Sequence, residues 1–202
     1  MKIRETIPED EMVAVFLKAE ITSTRFGEGV LKILGQENKP RSVIENPDLN
    51  NKDENLYRKE VLANHRGYAI NSAIFENFPK NVVWKKALLT KDELQNVKYI
   101  NYDYWVELSG GTRLAKDGAK NVLAGKQVFN ESNDNFYKAA EAIKNGIQFE
   151  KLILVGQNES SYQVVLEGHL RLTSYCMAIE YLPEEIEVII GFSEDIRNWG
   201  LY

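Results

Sequence analysis

Glu167-Gly168-His169-Leu170-Arg171 is the stretch of this chain whose residue types and spacing are best suited to chemistry. The apolar run Val164-Val165-Leu166 leads into it and Leu170-Arg171-Leu172-Thr173-Ser174-Tyr175 leads out, a pattern that predicts a strand, a glycine turn and a helix. His169 and Arg171 then fall in the first helical turn, where free N–H groups and the positive end of the macrodipole favour Asp or Glu over a cation. A bound anion resolves the conflict. A phosphate over Gly168 would meet the free amides, His169 and the Arg171 guanidinium together, and the missing side chain of Gly168 would let it approach. Thr173, with Ser174, stands where a hydroxyl could reach the same phosphate from the second turn. The plainer alternative is that Glu167 neutralises Arg171 by itself and Gly168 serves only the turn.

Ser109-Gly110-Gly111-Thr112-Arg113 forms a second candidate. Two glycines let successive amides point into one concavity suited to anions, the hydroxyls of Ser109 and Thr112 flank it, and Arg113 offers a planar fork to phosphate oxygens. The alternative is a glycine turn that caps the next helix. Arg66, in Asn64-His65-Arg66-Gly67-Tyr68, could bring a cation to the same site, although a cation in the last turn of a helix also complements the dipole.

Phosphoryl chemistry needs charge neutralisation, a metal and an oriented nucleophile. Arg171, Arg113 and the Gly168 and His169 amides meet the first need. Glu167 is the candidate to accept a proton or to hold Mg²⁺ through water, and His169 to donate to a phosphate oxygen. A carboxylate pair is not visible in sequence; Asp103, Asp117 or Glu141 would have to complete it in space. Glu167 and His169 are thus the candidate catalytic residues, with Gly168, Arg171, Arg113, Thr112, Ser109 and Thr173 as candidate phosphate ligands.

The signature and its flanks resemble the ParB/sulfiredoxin superfamily. There a helix ending at glycine feeds a strand, as Ala139-Ala140-Glu141-Ala142-Ile143-Lys144-Asn145-Gly146 precedes Leu152-Ile153-Leu154-Val155 here, and a glycine, polar residues and an arginine open the next helix. The resemblance spans about residues 95 to 193, half of the chain. It is closest in motif to the free serine kinase branch. Sulfiredoxins carry a cysteine where His169 stands, and Leu170 replaces a second polar residue. The resemblance implies a nucleotide ligand (ATP, ADP or CTP), Mg²⁺ and a small-molecule acceptor, in a kinase or nucleotide hydrolase. A non-catalytic nucleotide-dependent switch is the alternative, and a nucleic-acid-associated protein a second one.

Composition bounds the rest. The 202 residues are 44% hydrophobic and 27% charged, enough to bury a core. Thirty acidic against 25 basic side chains, a net charge of −5, argue against a polyanion as partner. No apolar run approaches the roughly 20 residues of a membrane span, and the polar start lacks a secretory apolar region, so a cytoplasmic location is expected. Cys176 is the single cysteine, expected as a small buried residue, and with only His65 and His169 no His/Cys metal cluster is available.

The positioning elements read as an α/β chain: residues 1–93 mainly helical, and residues 94–202 a ParB/sulfiredoxin-like domain around a small mixed sheet. Helices are expected at Glu9 to Ala19, within Thr24 to Leu34, at Glu54 to Ala63 and at Ala115 to Ala124. Gln36 to Lys52 reads as a loop and Val82 to Trp84 as a short strand or buried segment. Thr90 with Glu93 forms a capping box. Val97 to Leu108, aromatic and β-branched, reads as a strand, and Glu187 to Ile190 as the last strand. Trp84, Trp105 and Trp199 could stack on a base, though core packing is the commoner role of Trp. Without a linker, the halves are expected to pack as one unit.

Overall fold

Strand residues alternate between two apolar surfaces, and both surfaces are covered by helices. The computed structural model describes residues 1–202. Five strands, β1 (Lys2–Thr6), β2 (Val83–Thr90), β3 (Ile153–Gly156), β4 (Val164–Glu167) and β5 (Glu185–Phe192), form one sheet in the order β1-β2-β5-β3-β4. Only β3 and β5 run parallel; the other three pairings are antiparallel, so the sheet is mixed.

Trp84, Ile189, Ile153, Val155, Val164 and Leu166 point into one core, and Ala87, Leu89, Val188, Ile190, Leu154 and Val165 into the other, as a period of two requires. Helices α1 (Glu9–Ile21), α2 (Gly27–Gln36), α3 (Ser42–Glu45) and α4 (Lys52–Arg66) pack over the first core. The second is covered by α5 (Lys91–Gln95), α7 (Ala115–Leu123), α8 (Asp134–Lys144) and α9 (His169–Met177). The result is an α/β sandwich of three layers. Between α5 and α7, helix α6 (Asp103–Leu108) sits at a corner where Trp105 touches both cores and the small cluster of Leu108, Val122, Val128 and Phe136.

Two expectations need correction. Val97 to Leu108 is not a strand: only Lys98 makes β-bridges, to Leu114 and Val164, and the segment from Asp103 turns into α6. Its aromatic residues serve helix packing there, because Trp105 and Leu108 face the clusters just named. Residues 1–93 hold α1 to α4 and also donate β1 and β2 to the sheet they share with residues 94–202. The stretch from Gln36 to Lys52 holds α3 and is pinned by the buried Arg58, whose guanidinium donates to the Val43 and Asp48 carbonyls at 2.9 Å each.

The capping box is present: Thr90 accepts from the Glu93 N–H at 3.2 Å, and the Glu93 carboxylate accepts from the Thr90 N–H at 2.9 Å. No helix is long and apolar enough to cross a membrane.

Candidate functional site

Strand β4 ends at Glu167, Gly168 turns the chain, and α9 begins at His169, so the elbow has the predicted local structure. Gly168 adopts φ +101°, a conformation that glycine takes at little cost. Its Cα face is closed. A Cβ there would lie 2.6 Å from Leu152 Cδ2 and 2.9 Å from Arg171 Nη2.

Arg171, 9% exposed, donates from Nη2 to Glu167 Oε1 at 2.8 Å and from Nη1 to the Glu150 carbonyl at 2.7 Å. The neighbouring carboxylate thus neutralises it, the plainer of the two arrangements the sequence allowed. Burial pushes the Glu167 carboxyl above its ordinary 4.5, with Arg171 pulling the other way and Glu20 adding to the rise.

His169 stacks on Trp105, ring centroids 4.9 Å apart, with the Tyr99 ring nearly parallel to it at 6.4 Å. Its Nε2 is buried and has no hydrogen-bond partner. Burial, then the charges of Arg66 and Arg171, hold the imidazole down to about 3, so it is neutral over the physiological range.

The front helices complete this cluster. Glu20, in the last turn of α1 and 1% exposed, accepts from His65 Nε2 at 2.8 Å through Oε2. Its Oε1 lies 3.2 Å from Arg66 Nη1, within ion-pair reach but misaligned for a hydrogen bond, so both atoms stay unpartnered. Phe26 covers Arg66, ring centroid 4.0 Å from the guanidinium carbon, and meets His65 edge-on. Arg66, offered by the sequence as a cation from the front half, is near enough to the elbow for its charge to act on both Glu167 and His169. Glu20 escaped the sequence reading, although a signal existed: an acid near a helix C-terminus opposes the macrodipole just as a cation near an N-terminus does.

Other candidates are placed elsewhere. Thr173 is fully buried and bonded to the His169 carbonyl at 2.8 Å and to the Tyr99 hydroxyl at 2.7 Å. Ser109 is buried and bonds the Trp105 and Val106 carbonyls while accepting from the Arg113 N–H. Thr112 bonds Asp117 at 2.6 Å and accepts from the Leu114 N–H. The amides of the two glycines close the end of α6 on Glu107 and Val106 carbonyls, so the turn faces its own helix. Arg113, at φ +62°, ties the Tyr99 and Leu201 carbonyls together at 2.9 and 3.2 Å, away from the elbow.

The carboxylates offered as partners of Glu167 do not gather with it: Asp117 is taken by Thr112, the Glu141 carboxylate accepts from Asn145 Nδ2 and pairs with Lys144, and Asp103 is exposed at the start of α6. No three His, Cys, Asp or Glu side chains come together as a metal ion would need. Cys176 is partly buried in α9, and burial pushes its thiol up to about 12. Trp84 and Trp199 belong to the first core. Two shallow surface depressions lie away from the elbow, one of about 330 Å³ beside Lys85 and Ser193, the other of about 340 Å³ beside Asn77 and Leu201.

Fold and site together define an α/β protein with helices on both faces of a mixed sheet and a buried charged cluster where the layers meet at β4 and α9. Comparisons with protein-family models, with curated proteins and with solved structures returned no match.

Proposed function

We propose that the chain binds a nucleotide through its phosphates at the β4–α9 elbow, as the resemblance to ParB/sulfiredoxin-like proteins implies, with Arg171, Arg66 and His169 as ligands and a cytoplasmic location. One observation carries this reading. His169 Nε2 is buried at the N-terminus of α9 without a hydrogen-bond partner, and a buried polar atom left unpaired is costly unless something answers it. Binding would exchange Glu167 on Arg171 for phosphate oxygens.

Because the cluster joins α1 and α4 to β4 and α9, such an exchange would alter how the front helices sit on the sheet. That favours a nucleotide-dependent switch. The catalytic version, a small-molecule kinase or nucleotide hydrolase, draws support from the position of Glu167 directly before the elbow, where a carboxylate could accept a proton. No three acidic or histidine side chains gather around Glu167, so no step is routed through Mg²⁺.

A thermal-shift panel of ATP, ADP, CTP, GTP and inorganic phosphate, each with and without Mg²⁺, tests the reading. A true ligand at about one hundred times its Kd stabilises the fold by about 2.7 kcal/mol. Arg171→Ala should abolish that gain, and an unchanged gain would refute the phosphate assignment. Product formed by the wild type but lost in Glu167→Gln with binding retained selects the enzyme; binding without product selects the switch.

A further inference from the structure

The cluster between the layers is already balanced in charge. Arg66 from α4 and Arg171 from α9 supply two positive charges, and Glu20 from α1 and Glu167 from β4 supply two negative ones. His65 and His169 complete it, and Lys18 and Glu150 cancel one another at 3.1 Å on its rim. Trp105 and Tyr99 contribute only uncharged rings, as does Tyr175, whose hydroxyl feels Arg171. A tetrahedral dianion entering this set would leave two negative charges uncompensated where water is largely excluded, which is strongly unfavourable.

We propose that the cluster takes its anion together with a proton from solvent, one of the two glutamates becoming a neutral acid as the anion replaces it on Arg66 or Arg171. The inference rests on the phosphate reading above and adds the chemistry of that exchange. No bond of the ligand breaks: one proton moves from buffer to a carboxylate, and one guanidinium trades a carboxylate oxygen for a phosphate oxygen. Geometry prepares both glutamates. Glu20 is 1% exposed and already hydrogen-bonded to His65, and Glu167 is held by Arg171 alone among side chains. Burial, which raises the Glu167 carboxyl and lowers the His169 imidazole, directs the proton to a carboxylate rather than to that ring.

Calorimetric titration of the full chain with sulfate, which stays doubly charged across the range, and with inorganic phosphate tests this in buffers of different ionisation heat. The expected result is uptake of about one proton per sulfate bound and an affinity that falls about tenfold for each pH unit from about pH 6 to pH 8. Glu20→Gln and Glu167→Gln are nearly isosteric, and the variant that removes the proton-accepting group should bind sulfate about tenfold tighter at the upper pH and lose the slope. Equal binding across the range with no proton exchanged overturns the inference and leaves the phosphate reading standing. No binding of either anion at the lower pH overturns both.

Discussion

His169 is neutral in the fold because burial and two guanidinium groups oppose its charge. Its folded value of about 3 lies below the ordinary 6.5, so the unfolded chain takes up this proton first as pH falls. The contribution to stability is complete above about pH 6.5 and declines by up to about 1.4 kcal/mol per pH unit below it. Glu167 acts in the opposite sense: its raised value favours the folded state as pH falls, and that help is lost as pH rises through the folded value. His169→Phe keeps the stacking surface and removes the titration. Urea midpoints at about pH 7 and pH 5 should therefore converge in the variant relative to wild type; an identical acid decline in both proteins would remove His169 as its source. At this scale the sequence exposed most of the cluster. Arg171 and His169 stood out as cations at the wrong helix end, whereas Glu20 did not, because its partners His65 and Arg66 lie some 45 residues away in sequence and meet it only through packing of α1 on α4.

Local signals read elements well when one short-range interaction decides them. Thr90 and Glu93 form their box within a single turn, and β4, Gly168 and α9 follow from an apolar run broken by a glycine. Thr90→Ala should accordingly cost about 1 kcal/mol in chemical denaturation, and a change near zero would show that the β2–α5 junction is held by other contacts. Elements decided by their surroundings were not legible. Tyr102, Tyr104 and Trp105 favour strands intrinsically, but as a helix α6 places Trp105 against Tyr99 and against His169 and Phe136, which are distant in sequence. β1 is an edge strand whose residues are mostly exposed, with a bulge between Ile3 and Glu5, so its sequence shows no inside–outside alternation to detect.

The whole molecule is one sheet between two helical layers, and its connectivity crosses the midpoint of the chain. β2 pairs along its full length with β5, and α1 packs on a face to which β3, β4 and β5 contribute. Fragments 1–93 and 94–202, made separately, should each lack cooperative unfolding, while the intact chain unfolds in a single transition. A folded 94–202 fragment, seen by dispersed amide resonances, would contradict this and restore a separable back domain.

The stack of His169 on Trp105 gives the protein a built-in optical indicator. An imidazolium ion lying against an indole quenches its emission, whereas the neutral ring does so far less, so any event that charges His169 or moves it off Trp105 changes the emitted light. Trp84 and Trp199 lie in the first core and provide a steady background. The interior of this cluster can thus be watched in solution without an attached dye.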